Sequence, residues 1–245
     1  MRILDIDLDF FLCDVRHSAT PGTRADPELY QPWPENDVRL FLEQYCGITK
    51  PIPGRFVVEH VEVFNDWERR INSHELITPF EVIHVDAHAD LGLGDSSYLF
   101  IATKLLGTAV SDRLRETRQR PNEEGLLSGN YLAFAIACRW LSSLTYVHHW
   151  RKKGDDFWHR YVVDMNLETQ GIQMPYFGPA TAMQLFNRAK EPRHLEPRLP
   201  FTRTAAHKYR NSEPYDLMYL AHSPLYTPTT ADPLIDVIRE YMNED

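Results

Sequence analysis

The chain has 245 residues, of which 43% are hydrophobic and 25% charged, and its formal net charge at pH 7 is −9. This length suits one α/β domain with a single core, and the composition excludes a largely disordered chain. The acidic balance argues against nucleic acid or an anionic membrane as a partner, because both need a basic face, and it favours a cationic substrate. Three cysteines without metal-ligand spacing, and the lack of a signal-peptide pattern or a long apolar run, favour a cytoplasmic protein.

Apolar spacing predicts the elements of the first third of the chain. Arg2–Phe11 alternates apolar residues with aspartates, which is typical of a strand that gathers carboxylates along one edge. A loop, a helix, a second strand and a short helix are expected to follow. These are His17–Pro34, Asp37–Tyr45 with Asn36 as its N-cap, Arg55–Val63 and Asp66–Ile71.

The apolar run Phe80–Val85 predicts a buried strand, so Asp86–Asp90 should lie at its C-terminal end. Strands and helices are then expected to alternate. The helices are Asn130–Leu141 and Leu234–Met242, and the strands are Leu144–His148, Tyr161–Val163 and, last, Leu217–Ala221. The whole pattern predicts a single α/β domain over residues 1–245, with a mainly parallel sheet that helices cover on both faces.

Asp86, His88 and Asp90 alternate with alanines, so an extended backbone would direct all three side chains toward one side. Three convergent side chains of this type indicate a metal, because concentrated carboxylates repel one another unless a cation balances them. The alternative is a polar strand end held by hydrogen bonds.

Asp7 and Asp9 repeat this arrangement at the end of the first predicted strand. Alone, such a pair could bind magnesium for phosphoryl transfer or simply cap a loop. Together with His60, the two segments offer enough ligands for two metal ions. Oxygen and nitrogen ligands without thiolate indicate manganese, iron or zinc, and the excess of oxygen favours two Mn²⁺.

The segment Asp86–Asp90 resembles the Asp-Ala-His-x-Asp motif of the ureohydrolases, arginase and agmatinase, and Ile6–Asp9 resembles their Asp-x-Asp motif. The order of the two motifs is reversed here, as in a circularly permuted sheet. The combination of Leu4–Phe11, Glu59–Val63 and His84–Leu91 resembles an arginase-like family that includes peptide arginases. Those enzymes convert arginine residues of ribosomally made peptides into ornithine. The resemblance therefore implies an arginase/deacetylase-like fold in a permuted form.

The same resemblance implies a ligand set for each metal ion. One ion would be held by His60, Asp86, Asp90 and Asp7, and the other by His88, Asp86, Asp7 and Asp9. Asp7 and Asp86 would bridge the ions. The implied reaction is attack of a metal-bridging hydroxide on the guanidinium of a peptidyl arginine, with Asp90 passing the proton to the leaving amine.

The segment Ser128–Asn130 resembles the loop with which arginases hold the amino-acid end of their substrate, which makes Ser128 and Asn130 candidate substrate-binding residues. The position of the arginase proton shuttle falls on Leu132, whose side chain has no titratable proton. His148 is the main candidate to replace it, with His149 and His222 as alternatives, although paired histidines are more often packed than catalytic.

No acidic residue matches the one that grips the guanidinium in arginases. Glu62 and Glu59 are the candidates, each with the alternative of a solvated surface group. The polar, basic stretch Glu191–Arg210 could contact a peptide or its acidic leader, or could be a solvated loop.

The expected function is hydrolysis of arginine in a precursor peptide to ornithine and urea. Three rivals stay open: a metal-dependent deacetylase or amidohydrolase of the same fold, an agmatinase-like enzyme acting on a small guanidino compound, and a binding module whose metal is structural. The sequence does not indicate the oligomeric state.

Overall fold

The computed structural model describes residues 1–92, 97–120, 125–151, 170–186 and 190–244. Within these ranges the strands are β1 Arg2–Asp7, β2 Ile52–Val57, β3 Phe80–Asp86, β4 Leu141–His148, β5 Gln170–Ile172, β6 Pro175–Tyr176, β7 His194–Leu195, β8 Leu199–Ala205, β9 Leu217–Ala221 and β10 Met242–Glu244. The α-helices are α1 Glu35–Leu40, α2 Val61–Asn72, α3 Ser97–Thr103, α4 Val110–Arg118, α5 Tyr131–Ala137, α6 Ala182–Phe186 and α7 Pro233–Arg239.

Eight of these strands form one sheet in the order β10-β2-β9-β1-β3-β4-β8-β5. All neighbours pair in parallel except β5, which runs antiparallel to β8. The short strands β6 and β7 pair with each other outside this sheet. The predicted α/β fold with a mainly parallel sheet is confirmed, and parallel strands place all their carboxyl ends at one edge, where such sheets keep their sites.

The alternation along β1 shows how the two faces are covered. Ile3 packs into a core cluster with residues of α2, α3 and α5, whereas Leu4 and Ile6 pack into a second cluster with residues of α1 and α7. Both clusters are buried, so the central strands have no solvent-facing side, as expected of a parallel sheet between helical layers.

The first strand is shorter than Arg2–Phe11, because it ends at Asp7 and the chain turns into a 3₁₀ helix over Leu8–Phe11. The Asp7 carboxylate accepts the backbone N–H of Asp9 at 3.0 Å and so caps this turn. The alternation predicted a strand through the turn, but the local cap overrides it.

The predicted strand Arg55–Val63 is wrong over its second half. The strand β2 ends at Val57. Helix α2 runs from Val61 to Asn72, so it begins well before the predicted helix Asp66–Ile71 and ends close to where that helix was expected to end. The Glu62 carboxylate accepts the N–H of Glu59 at 2.9 Å, which satisfies a donor at the start of the helix. His60 therefore lies at a helix N-terminus and not on a strand.

Other boundaries shift for local reasons. Helix α1 begins at Glu35 because Pro34, with its fixed φ, takes the N-cap position expected of Asn36. Helix α5 stops at Ala137, and Arg139 at φ of 59° turns the chain into β4.

The C-terminal part holds strands that the sequence pattern missed, namely β7, β8 and β10. Helix α7 ends at Arg239, and Met242–Glu244 adds an edge strand after the one expected to be last. The stretch Glu191–Arg210 is not a simple loop, since β8 lies within it and buries Leu199 and Phe201. The predicted strand Tyr161–Val163 lies outside the described residues. None of the helices in the described ranges is both long and apolar enough to cross a membrane.

Candidate metal centre

Four adjacent strands of the sheet bring acidic and imidazole side chains to its carboxyl edge. Asp7 is the last residue of β1 and Asp86 the last of β3. His60 follows the end of β2, and Ser223 follows the end of β9. Because β2, β9, β1 and β3 are consecutive in the sheet, residues distant in the sequence meet at one point.

These side chains enclose a cavity of about 200 Å³. Its lining comprises Asp7, Asp9, His17, His60, Asp86, His88, Asp90, Ser128, Gly129, Ser223 and Tyr226. All six residues predicted as metal ligands are in this set. Among the described residues that line the cavity, none is a lysine or an arginine.

His60 forms the first group of the cluster. Its Nδ1 lies 3.1 Å from an oxygen of Asp7, 3.2 Å from one of Asp86 and 3.1 Å from one of Asp90. Within the described residues neither this nitrogen nor the Asp90 Oδ2 has a hydrogen-bond partner, although both are buried. A buried nitrogen that faces three carboxylate oxygens without a hydrogen bond is placed as a metal ligand would be.

His88 forms the second group. Its Nδ1 lies 3.0 Å from Asp9 Oδ2 and 3.7 Å from Asp86 Oδ1. Asp86 therefore turns one oxygen toward His88 and the other toward His60, as a bridging carboxylate would. The Oδ1 of Asp86 also accepts the His88 N–H, as the Oδ1 of Asp7 accepts the Asp9 N–H, but the Oδ2 of Asp7 both faces His60 and accepts the Ser223 hydroxyl.

The backbone carries Asp90 into the cluster by a turn and not by extension. The strand ends at Asp86, and Asp90 adopts a φ of 50°. The expectation that an extended segment directs all three ligands to one side is wrong, yet the three side chains still converge. A non-glycine residue in the left-handed region costs about 1–2 kcal/mol, and this strained geometry lies at the cavity, as does that of Ser223 at φ of 47°.

Repulsion between the carboxylates shows in their protonation. Burial and the neighbouring Asp86 raise the pKa of Asp90 to about 7, and the same two causes raise the pKa of Asp9. Burial acts against charge on His88, but Asp9 and Asp86 outweigh it and raise the pKa of that ring well above its usual value. The cluster thus holds more negative charge than its histidines balance.

This donor set could bind a metal ion. Ligand atoms from Asp7, His60 and Asp86, from Asp9, Asp86 and His88, and from His84, Asp86 and Asp90 lie within 4.8 Å of one another in each group. Carboxylates and imidazoles without sulfur suit divalent ions such as Mn²⁺, Fe²⁺ or Zn²⁺. The unpartnered nitrogen of His60 and the excess of carboxylate are the two observations that support this fit.

A second layer of polar side chains lies beneath the cavity, and no role is predicted for it from the sequence. Asp5, His84 and Tyr131 are fully buried there and surround the inner edge of His60. The Asp5 carboxylate contacts His60 Nε2 at 3.1 Å and His84 Nδ1 at 3.2 Å, and it accepts the Tyr131 hydroxyl.

Of the candidate substrate-binding loop, Ser128 and Gly129 line the cavity and Asn130 does not. The Asn130 side chain accepts the N–H of Leu127 at 2.8 Å and donates to the carbonyl of Gly125 at 3.0 Å. These hydrogen bonds stabilise the conformation of the loop before α5.

The two glutamates predicted to grip a guanidinium have different surroundings. The Glu62 carboxylate is engaged with the backbone at the start of α2. Glu59 is exposed and is not among the residues that line the cavity, but burial together with the charges of Asp7 and Glu62 raises the pKa of its carboxyl, so it lies close enough to Asp7 to sense that charge. Glu59 is the better placed of the two.

The histidines predicted as proton shuttles do not line the cavity. His148 pairs in register with Asp86 across β3 and β4, but it lines a neighbouring cleft with residues of β8 such as Arg203. His149 is buried against Phe10, with its Nε2 2.9 Å from the carbonyl of Leu12. The Nε2 of His222 lies 2.9 Å from Oδ1 of Asp232.

Three residues that the sequence reading did not assign complete the cavity wall. His17 comes from the long loop after β1, Tyr226 packs its ring 5.0 Å from that of His88, and Ser223 donates to Asp7. Only Ser223 carried any signal, through the Ser223–Pro224 match to the arginase pattern.

The sequence matches no protein-family model and no curated protein.

Proposed function

We propose that this protein is a metal-dependent hydrolase that carries two divalent ions, by preference Mn²⁺, and removes urea from the arginine side chain of a peptide to leave ornithine. The observation that carries the proposal is the pair of ligand groups, around His60 and around His88, that share the carboxylate of Asp86. One shared carboxylate between two such groups is the arrangement that a dinuclear centre needs.

Asp7, His60, Asp86 and Asp90 would hold one ion, and Asp9, Asp86 and His88 the other. When bound, such ions lower the pKa of a coordinated water toward neutrality and stabilise negative charge that develops during the reaction. The Oδ2 of Asp90, which has no hydrogen-bond partner in the described structure, would be its ligand atom, and the other oxygen of this carboxylate would then be available to take the proton of a coordinated water.

The charge of the cavity supports a cationic substrate. Four aspartates line it, no described lining residue is a lysine or arginine, and Glu59, outside the lining, is close enough to Asp7 for that charge to raise its pKa. A guanidinium forms paired hydrogen bonds with a carboxylate, so Glu59 is the residue we expect to orient it. Ser128 and Gly129 border the same space and would contact the atoms next to the guanidinium.

The peptide preference rests on the shape of the mouth. The loop His17–Pro34 carries no helix or strand within the described structure, and His17 forms part of the cavity wall. Asn130, the residue expected to hold the charged end of a free amino acid, is turned into its own loop. Both observations favour a substrate that presents neutral amides and not a free ammonium and carboxylate.

The test uses protein purified with Mn²⁺ and begins with metal analysis, for which we expect two equivalents per chain. An arginine-containing peptide is then incubated with the protein and analysed by mass spectrometry. Conversion to ornithine removes one CH₂N₂ unit per arginine and releases urea. Release of acetate from an acetyl-lysine peptide, without urea from any guanidino compound, would instead establish the deacetylase alternative.

Comparison of kcat/KM for an internal arginine, free arginine and agmatine then defines the substrate, because the ratio reports differences in transition-state binding. We expect the peptide to be processed best. Higher efficiency on free arginine or agmatine would overturn the peptide assignment and leave the guanidinium chemistry in place. Metal binding without turnover of any of these substrates would support a structural metal in a binding module.

A further inference from the structure

Asp5 is the only aspartate of the Asp5–Asp9 segment that does not line the cavity. It lies on β1 two residues before Asp7 and on the same face of the sheet. Strand geometry therefore places it about 7 Å deeper, beneath the ligands. Its side chain is fully buried, so an ionised carboxylate here requires partners for both oxygens.

Those partners are three donors. The Oδ1 of Asp5 contacts His60 Nε2 at 3.1 Å, and the Oδ2 contacts His84 Nδ1 at 3.2 Å and accepts the Tyr131 hydroxyl. The Tyr131 ring also packs against the His60 ring, with 4.9 Å between centroids. The imidazole of His60 is thus held by a hydrogen bond at its edge and by an aromatic ring at its face.

The three side chains Asp5, His60 and His84 are close enough to hold a metal ion themselves. The position of the Tyr131 hydroxyl argues against this alternative. It lies 3.1 Å from His60 Nε2 and 3.4 Å from His84 Nδ1 and donates a hydrogen bond to Asp5. Each of these atoms already has a hydrogen-bond partner, whereas His60 Nδ1 on the cavity side has none among the described residues. The inner layer is a hydrogen-bonded network.

A metal ion binds the neutral imidazole, and because an ionised carboxylate only accepts hydrogen bonds, contact with Asp5 would place the proton of neutral His60 on Nε2 and leave the lone pair on Nδ1. That lone pair is directed at the oxygens of Asp7, Asp86 and Asp90. We propose that Asp5 and Tyr131 are positioning residues, which hold His60 in the tautomer and orientation that present Nδ1 to a divalent ion. This inference rests on the metal site of the proposed function and not on the identity of the substrate.

The variants Asp5→Asn and Tyr131→Phe test it. Three donors converge on the two oxygens of Asp5, and an asparagine offers one acceptor and one donor, so at least one of the three must face an N–H. We expect Asp5→Asn to weaken the binding of Mn²⁺ by about 10–100-fold, the usual effect of removing the partner of a ligating histidine. Tyr131→Phe leaves the carboxylate in place, and we expect a smaller loss, about 3–10-fold.

The matched control is Tyr219→Phe. Tyr219 pairs in register with Asp5 on the neighbouring strand and donates to a different buried carboxylate, Asp66, at 2.7 Å, without lining the cavity. This variant should lose stability and keep the Mn²⁺ affinity of the wild type. It therefore separates general damage to the buried layer from damage to the orientation of His60.

The readouts are Mn²⁺ affinity by calorimetry and the visible absorption spectrum of the Co²⁺-loaded protein, which reports ligand geometry whether or not a substrate is known. Weaker binding and an altered spectrum in Asp5→Asn and Tyr131→Phe, but not in Tyr219→Phe, support the proposal. Wild-type affinity and spectrum in a folded Tyr131→Phe or Asp5→Asn protein overturn it. Absence of metal binding by the wild type overturns this inference and the metal site together, whereas binding without turnover of arginine affects only the proposed reaction.

Discussion

His60 has one ring nitrogen in each of two chemically different layers. On the inner side, Nε2 meets Asp5 and Tyr131, and each polar atom there has a partner. On the cavity side, Nδ1 meets the oxygens of Asp7, Asp86 and Asp90 at 3.1–3.2 Å and forms no hydrogen bond within the described structure. Both layers are buried and both consist of aspartates and histidines, so composition alone does not distinguish them.

The balance of charge does distinguish them. The inner layer sets one carboxylate against two imidazoles and a hydroxyl, and it is satisfied by the protein alone. The cavity layer sets four carboxylates against the rings of His60 and His88, with His84 Nε2 3.3 Å from Asp86 beneath them, so its carboxylates outnumber its imidazoles. Since unpaired buried charge is costly, bound cations could balance this excess, and the contrast distinguishes a candidate ligand cluster from a buried polar network.

The largest expected effect comes from removal of the carboxylate shared by both groups. Asp86→Ala should bind less than one equivalent of metal and lose turnover by about 1,000-fold or more, because the two ions together contribute several kcal/mol to transition-state stabilisation. Metal content and kcat measure this. Asp236→Asn, which removes an exposed carboxylate on α7, is the control and should leave both unchanged. Retention of two ions by Asp86→Ala would falsify the bridging role.

Metal addition should stabilise the fold through the cavity layer. Ions that bind only the folded chain at about 100 times their Kd contribute about 2.7 kcal/mol, which for a chain of this size corresponds to about 5–10 °C in Tm. Thermal unfolding of chelated protein, with and without Mn²⁺, measures this shift. An unchanged Tm at saturating Mn²⁺ would mean that the protein balances the cavity charges in some other way.

The pH dependence of the metal-free protein should have opposite sign to that of an ordinary ion pair. Burial and Asp86 raise the pKa of Asp90 from 3.8 to about 7, so ionisation of Asp90 destabilises the folded state at pH values above 3.8, and fully so above 7. Stability of the chelated protein should therefore rise as pH falls from about 8 toward 4, by up to about 4 kcal/mol from this group.

The variant Asp90→Asn tests that contribution, because it removes the ionisable group at this position and keeps the size of the side chain. Denaturant unfolding of both chelated proteins at several pH values should show the variant to be the more stable at pH 8 and the difference to vanish near pH 4. A variant less stable than wild type at pH 8 would contradict the view that the cavity layer carries excess charge.

The smallest effect concerns Ser223, whose hydroxyl donates to Asp7. Ser223→Ala removes the hydrogen bond that orients this ligand, and we expect Mn²⁺ affinity to fall by about 10-fold. Ser223→Gly removes the same hydrogen bond but also relieves the cost of a positive φ, so it should be more stable than Ser223→Ala by about 1 kcal/mol. Calorimetry and denaturant unfolding of the two variants measure these differences.

The clustering of the candidate ligands could be predicted from the sequence because their position at strand ends is a local property. Asp86 ends an apolar strand and Asp7 ends an alternating one, and parallel strands bring such ends together without further information. The place of His60 in the cluster was also predicted, but its position at the start of a helix was not. Glu59–Val63 alternates like a strand, whereas the helical spacing of Val63, Phe64 and Trp67 decides the structure, because burial of that face in the core outweighs the short alternation.

The inner layer could not be predicted for two reasons. Alternation along β1 shows that Asp5 shares a face with Asp7, but it does not show that the cavity ends between them. Tyr131 comes from a helix 126 residues further along the chain, and only tertiary packing brings its hydroxyl to Asp5. The direction of the Asn130 side chain could not be predicted for a related reason, since a local motif does not show whether an amide turns toward the cavity or back into its own loop.

His88 also connects the cluster to the loop after β1. Its Nε2 lies 3.0 Å from the carbonyl of Arg16, and the Arg16 guanidinium donates to the carbonyl of Leu225. A ligand ring held by an ion would keep this exposed loop in place, and a ring released from it would let the loop move. The peptide bond after Arg16 would then open to trypsin-like proteases, so chains that lack their ions would be the first to be degraded.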